Sequence, residues 1–353
     1  MVKKIALLLA VFSLSVLHFD ANAVVILQYH HVSDDTPKST SVTPSQFAEQ
    51  MQYLADNDFT VISLAEAVDS IKHNTPIADR RIVITFDDGY DSIINNAAPI
   101  LASHQFPYTV FISVAPIDDA GFKGMMSWKD ITALSEQGVT IANHSWGHEH
   151  LIRRQGKETQ TQWQARVEDN ILSTEAEILK RTGQSVKMFA YPYGEYTNKL
   201  EAILAKQGFV GFGQQSGAAG EYASLTALPR FPVANAYADL ASLTVKFSSL
   251  PMPVIKQNIS DPLLVSGKWR PKLELTLDTQ DIYPHQVMCF IQGQGPKKPI
   301  WLSENRLSIQ ASSDLAPGRS RYNCTAPSKT KTGYYWFSQA WIRQQDNGQW
   351  LEE

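Results

Sequence analysis

From residue 24 to about residue 250, short apolar runs alternate with longer amphipathic stretches. That is the pattern of β/α units built around a largely parallel sheet. Compact apolar runs predict strands over 24–29, 81–86, 108–113, 139–142, 188–191 and 209–212. Between them, apolar residues three or four apart predict helices over 44–56, 64–73, 93–104, 128–137, 161–181 and 199–206. Strands of this kind deliver their C-terminal ends to one shared rim, so functional side chains are expected just after the apolar runs. The texture changes at Leu250-Pro251-Met252-Pro253 and Asp261-Pro262. Residues 251–262 read as a proline-rich, extended linker. Beyond it, alternation over 273–277, 287–292, 307–311, 321–325 and 334–343 predicts short strands of a small all-β sandwich spanning 263–353. The fold class expected is therefore α/β over 24–250, followed by an all-β domain.

Residues 1–23 follow neither pattern. Lys3 and Lys4 precede an apolar run over 5–17, and Ala21-Asn22-Ala23 offers a small-residue cleavage site. This reads as a secretory signal peptide cut near Ala23. A retained anchor is the alternative, but the run is shorter than the ~20 residues a membrane-spanning helix needs. The chain is expected to be exported, periplasmic or secreted, with no stable membrane span, and nothing in the sequence identifies an export-machinery partner. With 353 residues, two domains are the natural division. A net charge of −4 supplies no basic stripe for nucleic acid, so a sugar partner fits better. Cys289 and Cys324, the two cysteines, fall in the C-terminal part. In an oxidising compartment they read as a disulfide, with two buried thiols as the alternative.

Candidate chemistry sits where three apolar runs end. Thr85-Phe86-Asp87-Asp88-Gly89 places two adjacent carboxylates after the run 82–84. An Asp-Gly turn explains part of it. Adjacent carboxylates at a strand end can also diverge, one towards a metal and the other towards a water to be activated, which makes a ligand and a general base. Asn143-His144-Ser145-Trp146-Gly147-His148 follows the next run. Two imidazoles at this spacing lie on one side of a helical turn or tight loop and suit one ion, with a position left open for water. Solvated surface histidines are the alternative, and His150 reads as a surface neighbour. Phe189-Ala190-Tyr191-Pro192-Tyr193-Gly194 ends a third run in a turn that could equally be packing.

Taken in order, Thr-Phe-Asp-Asp-Gly, His-Ser-x-x-His and Tyr-Pro-Tyr-Gly resemble the NodB-homology polysaccharide deacetylases, carbohydrate esterase family 4, over roughly residues 24–245. The resemblance implies a distorted (β/α)7 barrel. It implies Asp88, His144 and His148 as metal ligands, Asp87 as general base and the Tyr193 backbone amide as an oxyanion donor. Two departures stand out. Many members carry Arg where this chain has Ala190, and the late Leu-x-His motif has no clear copy. The opening Leu27-Gln28-Tyr29-His30-His31-Val32 instead resembles the subgroup that de-N-acetylates poly-β-1,6-N-acetylglucosamine of biofilm matrix. That implies His30 as general acid, the alternative being an ordinary strand end. Arg230, in Leu228-Pro229-Arg230-Phe231, is the candidate for the orienting work of the absent Arg.

The activity implied is metal-assisted hydrolysis of an N-acetyl group on an N-acetylglucosamine polymer. Zn2+ suits a carboxylate and two imidazoles with an open position, and Co2+ and Ni2+ fit similar sets. If Tyr29 to Val32 stays extended, pleating sends His30 and His31 to opposite faces, leaving His31 packed elsewhere or solvated. In the C-terminal part Trp301, Tyr334, Tyr335, Trp336, Trp341 and Trp350 either stack on sugar rings or fill a sandwich core. The other readings are a catalytically impaired carbohydrate-binding protein, a deacetylase of chitin or peptidoglycan, and a glycoside hydrolase. The last needs two carboxylates about 5 to 9.5 Å apart across a scissile bond.

Overall fold

The structure, a computed structural model, describes residues 23–258 and 261–352. The expected signal peptide lies, except for Ala23, outside the described residues. The apolar runs of the first half form a curled sheet. Strands β1 (Ala23–Tyr29), β2 (Arg81–Phe86), β3 (Tyr108–Ile112), β4 (Thr140–Asn143), β5 (Met188–Ala190) and β6 (Val210–Phe212) stand side by side in chain order. Each neighbouring pair is parallel. Every residue of β1 is buried, as expected of a parallel sheet covered on both faces. Thr60–Val61 adds a short parallel piece beside β2, and Ala219–Gly220 an antiparallel one beside β1.

The space between β6 and β1 is crossed by the segment 228–232. Leu228 bridges Phe212 on one side, and Phe231–Pro232 pairs with Leu27 and Gln28 on the other. Arg230, midway along this segment, is thereby carried into the interior, where it is fully buried.

Helices α1 (Pro44–Asp56), α2 (Leu64–His73), α3 (Ala98–Ser103), α4 (Trp128–Glu136), α5 (Gln160–Thr182), α6 (Asn198–Gln207) and α7 (Leu240–Phe247) pack around the sheet. Thr43, Ser127 and Thr159 start three of them with capping boxes that satisfy the first free N–H groups. The helix expected over 93–104 is broken into a wide turn, Ile93–Ala97, and α3. Pro99 has no N–H to return to the preceding turn, which explains the break.

Beyond the curled sheet lie β7 (Ser249–Pro251), β8 (Val254–Gln257), β9 (Lys272–Leu277), β10 (Met288–Ile291), β11 (Gly295–Lys297), β12 (Ile300–Trp301), β13 (Arg306–Gln310), β14 (Gly318–Pro327) and β15 (Tyr334–Arg343). They form one sheet in the order β7-β15-β14-β10-β11 and another in the order β8-β9-β13-β12. Leu273, Leu275, Leu307, Ile309, Tyr322, Cys324 and Trp341 share one core between them. Cys289 and Cys324 are paired residues of β10 and β14 and are joined by a disulfide.

Of the expected linker 251–262, the described part up to residue 257 is largely extended, but it is not free as a linker would be. Pro251 ends β7, which lies parallel to β15, and β8 pairs with β9. A proline is tolerated at such an edge because its missing N–H is not needed there. The two halves also share apolar surface. Trp336 meets Phe231 edge-on at 5.2 Å, and Ile342, Ala340 and Trp350 pack with Trp163, Tyr196 and Leu200. Of the six C-terminal aromatics proposed as a sugar platform, Tyr334 is exposed, whereas Tyr335 and Trp341 are buried.

Candidate active site

Three strand ends meet on the rim. After β2 the chain reverses with Asp88 at φ 75° and Gly89 at φ 92°, a left-handed pair held by the Met126 N–H donating to Gly89 O. After β4 the segment 143–148 makes a tight loop, not a helical turn, with Ser145 at φ 73° and His148 at φ 58°. Asn143 Oδ1 accepts from the Ser145 N–H, and Ser145 Oγ accepts from the His148 N–H. The loop is thus tied to the fully buried Asn143 and aims both imidazoles at Asp88.

Asp88 Oδ1 lies 3.2 Å from His144 Nε2 and 3.3 Å from His148 Nε2. His144 Nδ1 is 2.8 Å from Ala190 O, and a carbonyl only accepts, so Nδ1 carries the proton and Nε2 presents a lone pair. Asp88 Oδ1 and His144 Nε2 are consequently buried without a hydrogen bond. Two facing acceptors of this kind, with His148 beside them and all donor atoms within 4.8 Å, fit a divalent cation. Charges within the cluster are consistent with that. Burial pushes the Asp88 carboxyl up, but His144, His30 and His148 outweigh it and hold it well below the usual range. Burial, with His144 beside it, pushes His148 down to about 4, so its ring is neutral near pH 7. Burial favours neutral His144 as well, yet Asp88 and Asp87 draw it upward, so a cation would compete there with a proton.

Asp87 is buried completely. Arg230 grips it with two hydrogen bonds of 2.7 Å, one to each oxygen, and Gln28 Nε2 donates to it at 2.6 Å. Arg230 also donates to Gly213 O and Thr85 Oγ1 and lies over the Phe111 ring. Burial alone would push the Asp87 carboxyl up, but the Arg230 guanidinium more than offsets it, so the group is held below the usual carboxylate range. Gln28 was not expected here. Its one signal in the sequence is a polar residue inside the apolar run 24–29, which periodicity alone reads as an outward position.

His30 falls in the gap between β1 and the short strand His31–Val32. It lies near enough to Asp87, Asp88 and His148 to be among the groups that influence them. His31 is buried and stacked on Tyr90 at 3.6 Å, and it too senses Asp88. It is packed, as pleating suggests, but close to the rim rather than away from it.

Tyr193 adopts φ 59° inside the turn Pro192–Gly194. Gly194, at φ 67°, is required next, because a Cβ there would come within 2.7 Å of Gln214. The Tyr193 ring lies 4.4 Å from the His148 ring and stacks on His150 at 3.7 Å. His150 is therefore no surface neighbour. It bonds Glu195 at 2.8 Å, and this nearly buried carboxylate also pairs with Arg153 and with Arg319 at 3.4 Å. Arg319 comes from β14 and reaches over the Tyr193 ring at 5.3 Å. The C-terminal sheet thus touches the rim itself, a contact between residues 124 positions apart that sequence spacing cannot reveal.

The chain is similar to known proteins. The family model described as polysaccharide deacetylase matches residues 74–212. A poly-β-1,6-N-acetyl-D-glucosamine N-deacetylase of Escherichia coli (strain K12) is 22% identical over 249 residues, covering 61% of this chain and 37% of that protein. The chain therefore matches little more than a third of that relative. The enzyme of the same description from Staphylococcus aureus (strain MRSA252) is 25% identical over 209 residues, covering 54% of this chain and 72% of its own. Among solved structures, IcaB from Ammonifex degensii superposes with a TM-score of 0.57 at 22% identity, over 65% of this chain and 98% of its own. The Streptococcus pyogenes deacetylase PplD gives 0.57 at 21%, over 64% and 98%. Among the described residues, no helix is long and apolar enough to cross a membrane.

Proposed function

We propose that this chain, an enzyme carrying a polysaccharide deacetylase domain, removes N-acetyl groups from poly-β-1,6-N-acetylglucosamine with the help of a divalent cation. The observation that carries the reading is the convergence of Asp88, His144 and His148 beside an arginine-gripped Asp87. Those three residues would hold the ion, with Zn2+ preferred and Co2+ or Ni2+ as alternatives. When bound, the ion would polarise both the acetyl carbonyl and the attacking water.

Asp87 accepts the proton of that water, and Arg230 and Gln28 keep its carboxylate ionised and fixed in direction. The Tyr193 N–H donates to the oxyanion as it forms, a contribution typically worth ~3 to 4 kcal/mol. His30 protonates the departing sugar amine. The β-1,6 linkage is supported by the activity for which the relatives are named and by the Tyr29-His30 opening. A seven-stranded barrel is supported by the segment 228–232, which pairs on both sides where a seventh strand would stand. Residues 263–353 are taken as an accessory β-sandwich, and the mature chain as exported.

The test is acetate release from β-1,6-linked N-acetylglucosamine oligomers before and after chelation, with metal content measured for wild type and His144→Ala. Chelation should abolish release and His144→Ala should lower bound metal. Full activity in a verified metal-free sample rejects the mechanism, and faster release from chitin oligomers rejects the linkage.

A further inference from the structure

A cleft of about 510 Å³ opens on the far side of Tyr193 from the Asp88 cluster. Tyr193, Gly194 and Gln214 line it from the rim, and Gln292, Arg319 and Arg321 from the C-terminal sheet. Its size is that of a small-molecule site, for which about 300 to 1,000 Å³ is usual. Tyr193 lines it, and the same ring lies 4.4 Å from the His148 ring, so one side chain borders both the cleft and the Asp88 cluster.

The lining mixes apolar side chains, among them Pro317, Trp341 and Leu351, with polar ones, and it carries unbalanced charge. Arg319 shares the Glu195 carboxylate with Arg153. Arg321, from the same face of β14, has no carboxylate partner among the described residues, and its hydrogen bond to protein is to Gln214 O at 3.1 Å. A guanidinium offers five donors, so most of those on Arg321 are available to a ligand rich in carbonyl and hydroxyl oxygens. The half-buried position strengthens what charge remains.

We infer that this cleft receives the sugar units flanking the one being deacetylated, and that Arg321 favours neighbours that still carry their acetyl groups. An acetamido carbonyl accepts from a guanidinium. An amine left by earlier turnover is an ammonium ion near pH 7 and is repelled by it, the kind of built-in penalty through which sites discriminate. Deacetylation by this chain would then be spaced along the polymer rather than contiguous. The inference rests on the proposed activity for its choice of ligand.

Binding is measured by calorimetry on the full chain, chelator-treated so that no turnover occurs. The ligands are a β-1,6-linked N-acetylglucosamine pentamer, the dimer, and a pentamer whose units adjoining the central one are free amines. The acetylated pentamer should bind about tenfold more tightly than the dimer and than the amine-bearing pentamer. Arg321→Gln should erase most of both differences, and Gln292→Ala, in the turn after β10, should erase part of the first. Thermal melts check that the variants are folded, and if Arg321→Gln is not, Gln292→Ala decides. Equal binding of dimer and pentamer, wild-type binding by the folded variants, or no binding of the pentamer overturns the cleft. Acetate release is assayed separately. A chain that binds through Arg321 but releases no acetate refutes the activity and leaves the cleft standing.

Discussion

Arg230 and Asp87 are both fully removed from water, so each depends on the other for its charge. Taking away one partner of a buried pair typically costs about 3 to 5 kcal/mol, because the remaining charge stays uncompensated. Arg230→Gln should therefore lower the melting temperature and cut turnover while bound metal stays normal, since the Asp88 cluster is separate. Near-wild-type turnover with normal metal would remove Arg230 from the mechanism. The two histidines that follow β1 separate in the same way. His30→Ala should cost about 10²- to 10⁴-fold in turnover, the usual range for a general acid, with metal content unchanged. His31→Ala should cost far less, since its ring is occupied in stacking on Tyr90. A loss confined to His31→Ala would shift the assignment by one residue. Asp88, His144 and His148 were legible because local spacing brings them to strand ends. Gln28 was not, because a single buried amide has no periodicity, and the reach of Arg319 depends on packing between halves of the chain.

Among the elements, most strands and helices of the first half follow the apolar runs closely, down to the three-residue strands β5 and β6, whereas α7 does not. Helix α7 holds eight residues, too few for a repeating face to stand out from its surroundings. It also buries Lys246, which is 8% exposed, lies over the Tyr237 ring at 4.9 Å and is pushed down by burial from 10.5 to about 8. The sign follows from proton counting. Between about pH 8 and 10.5 the unfolded chain keeps a proton on this lysine that the folded chain has released, so stability rises with pH across that window. Lys246→Met should flatten that part of the pH dependence and raise the melting temperature near pH 7. Parallel pH profiles for variant and wild type would show that the lysine is solvated. The pairing of β7 and β8 escapes the sequence for a related reason. Proline density marks extended chain, but it does not distinguish a free tether from an edge strand, and only the pairing of β7 with β15 decides.

On the scale of the whole molecule, the C-terminal sheets complete the curled sheet rather than follow it. Deleting everything after Leu250 would strip β15 from β7, Trp336 from Phe231, and Ile342 and Trp350 from the face of α5 and α6. Such a chain should be recovered largely insoluble, or melt well below the full chain. A soluble truncation with the full chain's melting temperature and activity would show that the shared surface is dispensable. The same closure has a consequence in time. Trp336 of β15 meets Phe231, and β15 lies beside β7. Contacts between such distant positions form late, because the intervening loop must first be closed. A chain emerging from the ribosome can shape the strand ends that carry Asp88 and His144, yet Tyr193 lacks Arg319 above it until β14 has followed. Completion of the rim is therefore timed by β14, whose Arg319 stands 124 residues beyond the Glu195 it contacts.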